Sequence, residues 1–263
     1  MSAVHLRAAG RIASLDPGSP DAFRLYLAVL WLRHERLIEV LRRELRERIV
    51  LHISCLPRLE RAQNSIESFS QFSRADTCHL KLVGNGLEDD FDVASSLLRL
   101  TADDNYEGLP RKTFDGFALL TLACNPACIL KLDDDHRLKE SAALAELMDF
   151  AATTVAPLQF GEVNRSLLPS AHHRAWHFGK CATPELNARI LAVPAPRRWA
   201  AGSAGYILNR TALWRILWAS LYYDRWIGEI LYEDLAVAEV ANKTGIRVIN
   251  APMGDAIGAV LDY

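Results

Sequence analysis

A chain of 263 residues, 50% hydrophobic and 24% charged, is long enough to bury a large core and too apolar to stay disordered. Its formal net charge of −2 provides no basic field for nucleic acid, which is therefore not expected as a partner. Five cysteines (Cys55, Cys78, Cys124, Cys128, Cys181) form an odd set without the two-residue gap of zinc or redox pairs, so they read as unpaired thiols in a reducing compartment.

Residues 1–49 read as a helical extension preceding a main domain over 50–263. Pro20-Asp21 opens a helical stretch in which Leu37, Leu41 and Leu45 recur every four residues among arginines and glutamates. Nine arginines against six acidic residues make this segment locally basic, which fits a solvated face packed on the main domain or contact with an anionic membrane surface. The longest apolar run, Leu25 to Leu32, is closed by Arg24 and Arg33 and falls well short of a membrane span. The N-terminus lacks the order of a signal peptide. A cytoplasmic protein is expected, with the inner membrane face as a peripheral alternative. The motifs described below all lie beyond this segment, so its deletion is expected to spare the chemistry.

From Ile49 the pattern changes. Val50 to Cys55 reads as a strand, Leu59 to Phe72 as a helix, and Leu80 to Val83 as a second strand. The segment Asp103 to Thr113 enters a helix over Thr113 to Cys124. Within it Lys112 can meet a phosphate or the acidic run that follows, and Tyr106 can line a base or a sugar. A third strand, Ile129 to Leu132, runs directly into Asp133, Asp134 and Asp135. Three adjacent like charges need a compensating cation, and hard oxygen ligands suit Mg²⁺ or Mn²⁺. On an extended segment Asp133 and Asp135 share one side and Asp134 takes the other. A helix follows over Ser141 to Ala151. Strands alternating with helices imply an α/β fold with a mostly parallel sheet covered on both faces, and ligands bind beyond the carboxyl ends of its strands.

Two further clusters complete the set. Over Arg197 to Tyr206 a run of small residues is flanked by aromatics. Trp199, Gly202, Gly205 and Tyr206, with Trp176 upstream, are the candidate acceptor-binding residues, because sugar C–H patches stack on flat faces. Glu233-Asp234 then opens a helical stretch over Ala236 to Lys243. An acidic pair there suits the helix dipole in any protein, and one member can also serve as general base.

These clusters, in this order, resemble the β-1,3-galactosyltransferase, N-acetylglucosaminyltransferase and Fringe-like family over Leu51 to Val248. The matching residues are Asp104-x-Tyr106-x-Gly108-Leu109-x-x-Lys112-Thr113, then Lys131 to Asp135, then Gly202 to Leu208, then Glu233-Asp234. The resemblance implies a GT-A type Rossmann-like fold, a UDP-sugar donor, Mn²⁺ and inversion to a β-linkage. It further implies Asp135 as principal metal ligand with help from Asp133, and Asp234 as base with Glu233 beside it. Donor contacts fall to Arg58, Asp104, Tyr106, Lys112, Lys131, Asp133 and Asp134, and the acceptor would be a saccharide or a lipid-linked saccharide. The chain departs from the pattern in one ligand: the family uses a C-terminal histidine on the metal, and none follows His177 here. Asp255 or water is expected in its place. A retaining transferase, and a carbohydrate-binding or scaffold module without activity, are the rival readings.

Overall fold

The computed structural model describes residues 19–69, 72, 74–164, 178–190 and 198–259. Trp176 lies outside them. Helix α1 (Pro20–Glu44) starts where Ser19 Oγ accepts the Ala22 N–H at 3.1 Å and Pro20 pre-sets the first turn. It kinks at His34, whose backbone leaves the helical region. Its apolar stripe (Ala22, Leu37, Ile38, Leu41) is buried, the three larger residues in the main core, and Arg42 Nε donates to Ala123 O at 2.7 Å. The extension is thus packed into the same core as the strands that follow.

Strands β1 (Arg48–Ile53), β2 (Thr77–Val83), β3 (Asp90–Asp92), β4 (Leu97–Arg99) and β5 (Cys128–Asp133) alternate with α2 (Leu59–Ser68) and α3 (Leu109–Cys124). The chain continues through β6 (His136–Leu138), α4 (Ser141–Thr153), β7 (Leu158–Gly161), β8 (Val163–Asn164), α5 (Pro184–Ile190) and β9 (Trp199–Ala200). It closes with β10 (Tyr206–Asn209), α6 (Arg210–Ser220), α7 (Tyr223–Trp226), α8 (Glu233–Thr244), β11 (Arg247–Asn250), α9 (Met253–Ala256) and β12 (Ile257–Ala259). Eight strands form one sheet in the order β11-β7-β10-β5-β1-β2-β4-β3. β10 and β3 run against the other six. The mostly parallel α/β sheet expected from the strand and helix pattern is therefore present.

Two core clusters occupy the two faces, and the pleat sorts residues between them. Ile49, Leu51 and Ile53 of β1 face α1, α3, α6 and α8, whereas Val50 faces α4. Helix α3 is buried on nearly all sides because it lies under both α1 and α6. Gly116 lets it touch the sheet, since a Cβ there would sit 2.7 Å from Leu82 Cδ2. The same alternation puts Lys131 of β5 and Tyr206 of β10, paired across the ladder, on the α8 side. Gly205 has φ +69 and comes within 2.8 Å of Lys131 O by its notional Cβ, a turn that only glycine enters cheaply.

Candidate active site

The acidic run turns the chain from β5 into β6 at the carboxyl edge of the sheet, beside the ends of β1 and β2. Its three carboxylates have different fates. Asp134 is buried: Ser54 Oγ donates to Oδ2 at 2.8 Å, and Arg58 Nη2 and Arg61 Nε lie 2.8 and 3.5 Å from Oδ1. Burial raises its pKa despite the Arg58 charge and the Ser54 bond. Asp133, with a side chain 38% exposed, holds Lys131 Nζ at 2.7 Å from Oδ1. Burial works to raise its pKa, but Lys131 and His136 outweigh it and keep the group below the ordinary carboxylate value. Asp135, 26% exposed, meets Arg61 Nη2 at 3.2 Å.

His136 staples this turn to the glycine-rich segment. Asp133 N–H donates to its Nδ1 at 2.9 Å, and its Nε2 lies 3.0 Å from Ser203 O, which assigns the proton to Nε2. Beyond Ser203 the linkage continues, because Gly202 N–H donates to Asp234 Oδ2 at 3.2 Å. A second connection runs through Lys131, whose ammonium lies 2.7 Å from Asp133 and 2.8 Å from Glu233 Oε2. Burial alone would lower the Lys131 pKa, yet these two carboxylates raise it, so the group stays charged. The Tyr206 hydroxyl donates to the other Glu233 oxygen. Both Glu233 oxygens are thus engaged within the protein.

Asp234 differs from its neighbour. It keeps partial exposure and accepts the Gly202 and Leu235 N–H groups, the latter at 2.9 Å. Burial and the adjacent Glu233 raise its pKa to about 6. A carboxylate with a pKa near the working pH is suited to take a proton.

Several expected ligand contacts prove to be supports. Lys112 Nζ donates to Ser54 O and to Asp104 Oδ1, both at 2.6 Å. Asp104 also accepts the Gly84 N–H at 2.7 Å and the Leu56 N–H at 2.6 Å. This buried pair bolts together the loops after β1 and β2 and the first turn of α3. Trp199, 3% exposed, packs with Cys181, Tyr232 and Leu235, and Tyr206 is fully buried, so neither ring offers an open face to a sugar. Gly202 faces Asp234, with a notional Cβ at 3.7 Å from the aspartate Cβ. Tyr106 is packed against this group around Cys181, Trp199, Tyr232 and Leu235, and its hydroxyl pKa is raised by burial and then by Asp234.

The groups at the rim are Asp133, Asp135, Asp234, Arg58 and Lys180. Lys180 arrives from a segment pinned by Glu107, which accepts the Ala182 and Thr183 N–H groups at 3.0 and 2.9 Å. Burial and then Arg58 lower the Lys180 pKa, opposed by Asp135 and Asp133. His136, Arg61, Ser54 and Lys180 lie outside the residues the motifs singled out. Proximity in sequence to the acidic run marked only His136. Asp255 is exposed on α9.

Among the described residues, one ligand atom each from Asp133, Asp135 and His136 lie within 4.8 Å of one another. Two carboxylates with open edges fit a hard divalent cation, while the imidazole would first have to release the Asp133 N–H. All five cysteines are free thiols, and no helix among the described residues is long and apolar enough to cross a membrane.

No protein-family model matches the chain, and no curated protein matches it. Among solved structures it is similar to the galactosyltransferase LgtC in complex with donor and acceptor sugar analogues, at TM-score 0.42 and 15% identity, covering 77% of this chain and 73% of that one.

Proposed function

We propose that the chain is a GT-A type glycosyltransferase that moves galactose or N-acetylglucosamine from a UDP-sugar to a saccharide or lipid-linked saccharide hydroxyl. One observation carries the reading: Lys131 joins a partly exposed acidic turn to the carboxylate pair that opens α8, where burial and Glu233 raise the pKa of Asp234 to about 6. Asp234 takes the proton of the acceptor hydroxyl as its oxygen attacks the anomeric carbon. Gly202, bare of side chain beside that carboxylate, leaves room for the acceptor to approach. Asp133 and Asp135 would hold a divalent cation, Mn²⁺ or Mg²⁺, whose chemistry is to neutralise charge on the departing diphosphate. Arg58 and Lys180 add positive charge at the rim, and Tyr106 closes the site beside Asp234.

A single displacement requires the base and the leaving diphosphate on opposite faces of the sugar, which gives a β-linkage from an α-linked donor. Incubating the full chain with UDP-galactose or UDP-N-acetylglucosamine, Mn²⁺ and a panel of saccharides tests this by UDP release and by NMR of the new linkage. Mn²⁺-dependent release with a β-product is expected. An α-product removes the displacement by Asp234, and calorimetry showing no UDP or Mn²⁺ binding returns the chain to the class of carbohydrate-binding or scaffold modules.

A further inference from the structure

The three aspartates are already compensated by the protein's own cations. Lys131, Arg58 and Arg61 set three positive charges against Asp133, Asp134 and Asp135, with Lys131 also shared by Glu233. Arg61 has a distinctive place among them. Its guanidinium, on the first turn of α2, spans two carboxylates, with Nε 3.5 Å from Asp134 and Nη2 3.2 Å from Asp135. Arg58 contacts Asp134 at 2.8 Å, and Ser54 holds the other oxygen of that aspartate. Asp134 therefore keeps two partners if Arg61 leaves, whereas Asp135 loses its arginine.

We infer that Arg61 is an exchangeable counter-ion, which pairs with Asp135 and transfers to a diphosphate oxygen when a divalent cation takes that carboxylate. The inference rests on the metal-dependent reading above and adds the order in which the site fills. A divalent ion on Asp135 would sit within a few ångströms of the guanidinium, and two cations that close repel strongly in a partly buried site. Arginine is suited to the transfer because its planar fork pairs with phosphate as readily as with carboxylate. The cation alone must displace Arg61 and so binds weakly. Cation with diphosphate leaves every charge paired, and each ligand must tighten the other by the same factor.

The test uses the full chain, with free Mn²⁺ followed by electron paramagnetic resonance and UDP followed by calorimetry, each alone and in the presence of the other. For the native chain UDP is expected to tighten Mn²⁺ by about 10- to 100-fold, with the reciprocal effect on UDP. In Arg61→Gln, Mn²⁺ alone should bind about fivefold more tightly or better, UDP should bind several-fold more weakly, and the coupling should shrink. Arg61→Met, which keeps the stem packing, is measured beside it and is expected to behave the same way. An unchanged or weakened Mn²⁺ affinity in both variants, with the Mn²⁺–UDP coupling intact, overturns the exchange and leaves the transferase reading standing. Absence of Mn²⁺ binding to the native chain, with and without UDP, overturns both.

Discussion

At the scale of single residues, the acidic pair at the head of α8 divides into two roles that its sequence does not separate. Glu233 spends both oxygens on Lys131 and Tyr206, while Asp234 accepts two backbone N–H groups and stays half open. Asp234→Asn keeps the hydrogen-bond acceptor but cannot take up a proton, so sugar transfer should fall by about 10²–10⁴ while UDP and Mn²⁺ affinities hold, as measured by initial rates and calorimetry. The same variant should melt higher than the native chain above pH 6. Asp234 has its pKa raised by folding, so its protonated form stabilises the fold at low pH and that contribution is lost as pH rises through about 6. Glu233→Gln is the contrasting case, because it takes one of two carboxylates from the buried Lys131 ammonium, and losing a charged hydrogen bond of this kind costs about 1.5–3 kcal/mol. Its defect should be visible in the melting curve first. Full transfer by Asp234→Asn would remove the assignment of the base.

At the scale of elements, α1 carries the least chemistry and yet is built into the core. Leu37, Ile38 and Leu41 are buried against α3, which is itself buried over most of its length because two helices cover it. Leu41→Ala should destabilise the chain by about 2–5 kcal/mol in urea unfolding, since the cavity would lie at the α1–α3 contact. Removal of residues 1–45 should accordingly yield insoluble or unfolded protein. A deletion variant that melts like the full chain would show that α1 only rests on the domain.

At the scale of the whole molecule, the sheet places the acidic turn, the glycine-rich turn and the head of α8 at one edge, and buried polar chains hold them there. One such chain uses two histidines: His79 lies 3.3 Å from His52, His52 lies 3.0 Å from Ser65, and Ser65 Oγ donates to His136 O at 2.7 Å. Burial is the main cause lowering both histidine pKa values, His79 to about 4 and His52 well below its ordinary value. For a histidine whose pKa falls on folding, the unfolded chain binds the proton more readily. Stability is therefore full above about pH 6.5 and declines as pH drops toward 4, by up to about 3 kcal/mol for His79 alone. Melting temperature followed from pH 7.5 to 4.5 should fall steeply below pH 6.5, and His79→Phe should flatten that slope. A native profile level across this range would show that the pair is not buried neutral.

What the sequence determined by itself is the local part of this protein. Period-two apolar strands, helix spacing and turn residues placed β1, β2, β5, α2, α3, α4 and α8 close to where they lie, because those signals act over a few neighbours. The alternation expected of an extended run also separates Asp134 from Asp133 and Asp135, although Asp134 and Asp135 lie in the turn after β5. Short strands such as β3, β4 and β6 carry too few residues for a period, and β10 is assembled only by pairing with β5 and β7. The cations that neutralise the acidic run come from β5 (Lys131), the turn before α2 (Arg58) and α2 itself (Arg61), and the staple between the acidic turn and the glycine-rich turn runs through His136 and a backbone carbonyl 67 residues away. Only tertiary structure decides such pairings. Charge and hydrogen-bond complementarity depend on distance in space, and no spacing along the chain encodes which arginine folds back on which aspartate, or which aromatic ring is covered and which is left open.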